Sequence, residues 1–123
     1  MPDESKTTRT KCAVETTIAV VGGKWKPMIL YALLNSPRRF GELNRVIPGV
    51  TQRMLTLQLR ELEEDGVIHR EVYKQVPPKV EYSLTPFGRT IEPLLLLMNQ
   101  WGEQYADTVG RHHDPNDKPA HSS

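Results

Sequence analysis

The stretch from Thr51 to Leu84 limits the fold more than any other part of the chain. It opens with a helix-patterned run, TQRMLTLQLRELEEDG, and passes directly into two strand-patterned segments, VIHREVY and VEYSL. Leu55, Leu59 and Leu62 recur at spacings of 4 and 3, the signature of a single apolar helix face. Val80, Tyr82 and Leu84 alternate with Glu81 and Ser83, as in a half-buried strand. Pro77 and Pro78 cannot donate ladder hydrogen bonds, so they belong at the tip of a hairpin, which Lys74 and Lys79 make basic.

The polar side of this helix carries Gln52, Arg53, Thr56 and Arg60, side chains that can reach phosphates and base edges in a DNA groove. Charge is graded along the same region. Between Arg38 and Arg60 there are five arginines (Arg38, Arg39, Arg45, Arg53, Arg60) against one carboxylate, Glu42, whereas Glu61, Glu63, Glu64 and Asp65 follow immediately. Such a helix would point its basic N-terminal half at DNA and its acidic end at solvent. The whole-chain charge of +1 is uninformative beside this distribution.

Elsewhere the periodicity predicts four more helices. Val14, Ile18 and Val21 mark a first one, stopped by Gly22-Gly23. A second starts near Lys24, with Pro27 in its first turn and Trp25, Met28, Ile29, Ala32 and Leu33 on its inner face, and ends at Asn35-Ser36-Pro37. Phe40, Leu43 and Ile47 mark a short third helix, followed by a tight turn at Pro48-Gly49-Val50. Thr51 is a good N-cap for the fourth, although Met54 leaves its capping box incomplete, and Gly66 should stop it. Thr85-Pro86 reads as N-cap and first residue of a last helix with a stripe of Phe87, Ile91, Leu94, Met98, Trp101 and Tyr105. The expected architecture is mainly α with a small β-hairpin, a winged helix-turn-helix. Its expected divisions are a disordered arm over 1–11, a folded domain over 12–107 and a flexible tail over 108–123.

With 123 residues, 37% of them hydrophobic, the chain suits one domain with a modest core. No apolar run approaches the roughly 18 residues of a membrane span, and MPDESKTTRTK lacks the apolar core of a secretory signal, so a cytoplasmic protein without a membrane partner is expected. The lone cysteine, Cys12, excludes a disulfide framework and a cysteine-rich zinc site. His112, His113 and His121 lie in the polar tail without companion ligands, and His69 sits on a strand, so no metal is expected. Gly22-Gly23-Lys24 lacks the spacing of a phosphate-binding loop. No acid–base pair or nucleophile constellation stands out, so neither an enzyme nor a cofactor is expected.

Several segments together resemble the HxlR-type transcription regulators, bacterial winged helix-turn-helix proteins related to the MarR group. The matching segments are GGKWKPMILYALL (22–34), PRRFGELNRVIPGVTQRMLTLQLRELEEDGVIHREVY (37–73) and VPPKVEYSLTPFGR (76–89), with Cys12 ahead of Val14-Glu15. The resemblance implies a homodimer on double-stranded DNA with inverted half-sites. The fourth helix would lie in the major groove and the wing on the adjacent minor groove or backbone. In some members the N-terminal cysteine senses thiol oxidants or electrophiles, which makes Cys12 a candidate redox residue and such a small molecule a candidate effector.

Each candidate also has a bland reading. Arg38, Arg39, Thr51, Gln52, Arg53, Thr56, Leu57, Arg60, Lys74 and Lys79 form the expected DNA-binding set, and a solvated surface is the alternative. Arg38, Arg39 and Arg45 suit phosphates, which position a protein without specifying a sequence. Leu57 lies between Arg53 and Arg60 on the polar face: either an inert exposed leucine or a contact to a thymine methyl. Residues 94–98, LLLLM, are apolar all round and call for burial on every side. A dimer interface of Val14, Ile18, Leu94, Leu95, Leu97, Met98 and Trp101 would meet that need. Cys12 is either an inert small residue or a reactive thiol, and any disulfide it forms must join a second molecule. The runner-up function is a winged-helix module that binds protein and no DNA. A third reading, compatible with DNA binding, makes Cys12 or a pocket beside the last helix a sensor.

Overall fold

A computed structural model describes residues 12–109. The expected disordered arm, 1–11, and all but the first two residues of the expected tail lie outside the described residues. The chain divides into two units, one ending at Thr90 and one starting at Ile91.

The first unit contains α1 (Ala13–Val21), α2 (Lys26–Ala32), β1 (Arg38–Arg39), α3 (Phe40–Val46), α4 (Gln52–Glu64), β2 (Ile68–Tyr73) and β3 (Lys79–Leu84). Its core joins Ile29, Leu30 and Leu33 of the α2 region, Leu43 and Ile47 of the α3 region, and the stripe Leu55–Leu59–Leu62 of α4. All three stripe leucines are at most 2% exposed. Burial of each stabilises the fold by about 1.5–3 kcal/mol.

Local chemistry sets the helix-turn-helix. α3 ends at Val46, and the chain reverses through Gly49, whose φ of 81° favours glycine. The Asn44 side-chain amide donates to the Val50 carbonyl (3.2 Å) and closes this turn. The Thr51 hydroxyl then accepts from the Met54 N–H at 3.0 Å, the expected N-cap. The sheet is larger than the expected hairpin. β3 is central, between β2 and the two-residue β1, with Arg38 opposite Tyr82 and Arg39 opposite Glu81. Two arginines after a proline carry no alternation, so nothing in their pattern marks a strand.

The last helix also begins later than Thr85-Pro86 suggests. The Thr85 hydroxyl donates to the Gly66 carbonyl (2.7 Å) and accepts from the Gly88 N–H (2.8 Å). These bonds stitch the residue after β3 to the end of α4. Gly88 passes so close to the Val67 carbonyl that a Cβ would collide with it. The chain makes a 3₁₀ turn over Gly88–Ile91, and Phe87 stays exposed outside any helical stripe.

The second unit is α5 (Glu92–Thr108), with Pro93 in its first turn. Among residues 94–98 only Leu95 is buried, while Leu94, Leu96, Leu97 and Met98 are exposed. Burial on every side of this segment is therefore not met among the described residues. Trp101, also exposed, stacks on Tyr105 with ring centroids 5.5 Å apart.

One buried charge positions α4. The Lys26 ammonium, in the first turn of α2, is 9% exposed by residue and lies 2.8 Å from the Glu61 carboxylate. A cation at a helix N-terminus opposes the helix dipole, and burial adds a desolvation cost, so Lys26 depends on Glu61. Glu61 itself is half-exposed and can be rehydrated alone. Glu61→Ala should therefore cost more than Lys26→Met, about 1–2 kcal/mol against a near-neutral change. Thermal unfolding followed by circular dichroism checks this; equal midpoints for the two variants would contradict it.

Candidate nucleic-acid interface

With the leucine stripe buried, the rotation of α4 about its axis is set. Gln52, Arg53, Thr56, Leu57 and Arg60 all face solvent, as their positions on the helix require. Thr56 is partly committed, because its hydroxyl donates back to the Gln52 carbonyl at 2.8 Å. On the flank, the Gln58 amide contacts the Met54 sulfur at 3.2 Å, and both side chains are half-buried. Among the described residues, neither Arg53 nor Arg60 has an ion-pair or side-chain hydrogen-bond partner. The acidic end is less uniform than its composition suggests, since Glu61 is held by Lys26 while Glu63, Glu64 and Asp65 are exposed.

Arg38 and Arg39 sit on β1 and take different surroundings. The Arg38 Nε donates to the Ala32 carbonyl (3.1 Å), which ties β1 to the end of α2 and leaves its two terminal nitrogens free of that bond. The Arg39 backbone N–H donates to the Glu42 carboxylate (2.8 Å), the returning half of a capping box on α3. Arg45, in the last turn of α3, is exposed.

The wing has two chemically distinct faces. Register places Arg38, Tyr82 and Arg70 in one cross-strand row, on the face that buries Ile68 and Leu84 nearer the core. Arg70 is exposed and was not among the expected contacts; in the sequence it is one charge in an otherwise ordinary strand pattern. The opposite face carries Arg39, Glu81 and Glu71 in a row, with Lys79, Tyr73 and His69 beside them. Glu71 and Glu81 stand directly opposite each other, and each has a partner. His69 Nε2 lies 2.7 Å from Glu71, and the Lys79 ammonium lies 3.5 Å from Glu81 and 4.6 Å from the centre of the Tyr73 ring. Partial desolvation, then Glu81, which accepts its hydroxyl, and Glu71 hold the Tyr73 phenol above its usual pKa.

The two expected wing lysines therefore differ. Lys74 is exposed at the tip beside the fully exposed Val76, whereas Lys79 is drawn onto the sheet by Glu81 and Tyr73. Cys12 is exposed at the N-cap of α1, where its side chain makes no capping hydrogen bond. Val14 and Ile18 project from α1 at 65% and 60% exposure. Among the described residues no cluster of three or more His, Cys, Asp or Glu could hold a metal ion. Nor is any described helix long and apolar enough to cross a membrane.

This arrangement has close counterparts among known proteins. The sequence profile of HxlR-like helix-turn-helix proteins matches residues 20–109. The chain is 64% identical over 100 residues to YdeP, an HTH-type transcriptional regulator of Bacillus subtilis (strain 168), spanning 81% of this chain and 78% of that protein. The redox regulator HypR in its oxidised form superposes with a TM-score of 0.74 at 62% identity, covering 76% of this chain and 96% of that one. Its reduced form gives a TM-score of 0.77 at 57% identity, covering 82% and 100%. A buried leucine stripe under a polar helix face, a tight turn before it and a wing after it thus accompany a family match over most of the chain: the protein belongs to the HxlR family of DNA-binding helix-turn-helix transcriptional regulators.

Proposed function

We propose that the protein acts as a homodimer that reads an inverted-repeat operator in double-stranded DNA, with α4 in the major groove and the wing on the neighbouring backbone or minor groove. The observation that carries this is the outward face of α4. Arg53 and Arg60 stand there unpaired among the described residues, on a helix whose opposite face is locked into the core. Arg53 and Arg60 supply forked donors for guanine edges or phosphates, and Gln52 supplies an amide. The Thr51 cap occupies the Met54 amide and leaves the Gln52 and Arg53 amides of the first turn for a phosphate. Arg38, Arg39 and Lys74 serve the backbone, and Lys79 does so more weakly.

The dimer rests on apolar surface that one chain leaves uncovered. Val14 and Ile18 on α1, and Leu94, Leu97, Met98 and Trp101 on α5, are each 38–66% exposed. Exposed apolar side chains clustered on each of these helices mark interaction surfaces. Leu95, buried already, has little surface to offer. Residues 12–107 would form the dimerising, DNA-binding body, with two readers about one helical turn apart, near 34 Å.

A redox response is a second layer of the same proposal, favoured by the exposed Cys12 thiol and by the similarity to HypR. The chain has a single cysteine, so a disulfide formed on oxidation by peroxide can only join two molecules or add a small thiol. In the first case two thiols lose two electrons and two protons to the peroxide, one S–S bond forms and water leaves.

Selection of duplex DNA from a random pool, followed by gel shift, tests the reading directly. An enriched inverted repeat bound by a dimer is the expected result, and Arg53→Ala should weaken it about tenfold or more. No enriched sequence, or a stable monomer by light scattering at micromolar concentration, would oppose it. Lys74→Ala should flatten the dependence of log affinity on log salt by about one unit per subunit, and Lys79→Ala by less, because Glu81 already neutralises part of that charge. Oxidant should alter DNA binding by the wild-type chain and leave Cys12→Ser unchanged; a Cys12→Ser protein that still responds would remove the redox layer.

A further inference from the structure

We infer that Leu57 is a base-reading residue that recognises the C5-methyl group of a thymine, and so sets part of the sequence preference of α4. The inference rests on the DNA-binding reading above and deepens it.

Geometry separates Leu57 from the other leucines of α4. At 100° per residue, it points about 170° away from the mean direction of Leu55, Leu59 and Leu62. Those three are at most 2% exposed, and Leu57 is 41% exposed. It therefore lies on the outward face of the helix, with Arg53, Arg60 and Glu64, rather than at the margin of the core stripe. Arg53 and Arg60 lie within about 60° of it, one turn before and just under one turn after. The three side chains form one row roughly 10 Å long, the length of about three base-pair steps.

The chemistry of the neighbours narrows what Leu57 can touch. A phosphate offers an aliphatic side chain nothing, and the flanking arginines are the residues suited to phosphates and guanines. Thr56, the adjacent residue with a methyl group, has its hydroxyl turned back to the Gln52 carbonyl. In the major groove the thymine C5-methyl is the apolar feature of the base edges, and it distinguishes T·A from the other pairs. An outward leucine framed by two unpaired arginines fits a groove in which a methyl lies among phosphates and acceptor edges. A protein partner is a poorer fit, because an isolated leucine between two arginines is not a contiguous apolar patch.

The test uses the full chain and the DNA it selects from a random pool. Each thymine of the selected half-site is replaced in turn by deoxyuridine, which removes the methyl and leaves the hydrogen-bonding edges intact. Wild-type protein should lose roughly fourfold in affinity at one thymine per half-site, the worth of one buried methyl. Leu57→Ala should bind the thymine and uridine sites equally. Alanine is a better helix former than leucine at an exposed position, so the variant should fold as well as the wild type. Arg53→Ala should be weaker on both DNAs and keep the uridine penalty. If no thymine position responds to uridine, or if Leu57→Ala retains the full penalty, the methyl-reading role is overturned and DNA binding stands. If no sequence is selected at all, both fall together.

Discussion

The burial of Leu55, Leu59 and Leu62 is the constraint on which the rest depends. Three apolar side chains on one stripe leave α4 a single low-energy rotation, because a turn of one residue would expose them and carry Thr56 and Arg60, or Gln58 and Glu61, toward the core. Everything functional on the opposite face follows from that choice. The Lys26–Glu61 pair then resists sliding along the axis, since a shift of one residue would strand a buried ammonium. The core chooses the face, and the ion pair helps choose the register.

The turn before α4 and the wing after it are held by small polar devices rather than by further apolar area. Asn44 closes the turn, Thr51 caps the helix, and Thr85 bridges the end of α4 to the residue that follows the wing. Thr85 matters most for placement, because its hydroxyl meets Gly66 and Gly88 at once while Gly88 presses on Val67. Both ends of α4 are thereby tied to the elements beside it. The role proposed for α4 needs this, because misplacement of even an ångström would separate a guanidinium from a base edge.

Strong local signals carried the sequence reading, and contacts between distant residues did not announce themselves. The helix-turn-helix was legible because leucine spacing, a glycine turn and a threonine cap agree locally. The strand at Arg38–Arg39 was illegible because its pairing with Tyr82 and Glu81 lies 42 or more residues away and leaves no period in two arginines. The burial of Lys26 leaves no local signal for the same reason: its partner is 35 positions on. The late start of α5 was hidden by Thr85-Pro86, a real cap-and-proline signal that the chain spends on a turn tied to Gly66. At the candidate interface, exposure of Arg53, Leu57 and Arg60 followed from periodicity alone. The partial neutralisation of Lys79 required the cross-strand register, which brings Glu81 and Tyr73 to it.

The charge layout bears on how such a protein would discriminate among sites. Non-specific affinity for DNA scales with the number of phosphates neutralised, and several cations of the described elements are already committed. Lys26 is buried, Lys79 is shared with Glu81, and Arg38 is partly engaged by Ala32. Arg39, Arg45, Arg53, Arg60, Arg70 and Lys74 remain the exposed positive charges of the described helix-turn-helix and sheet elements. Glu63, Glu64 and Asp65 oppose them a turn or more along α4. Among the described residues these elements thus bring six exposed cations against the three carboxylates at the end of α4, a modest charge for holding DNA on its own. In the proposed dimer each half-site contact is multiplied by the second, so base-edge contacts weigh more against a weak electrostatic background. On that balance the contact proposed for Leu57 would be a usable share of the discrimination, which the same contact would not be on a strongly basic protein.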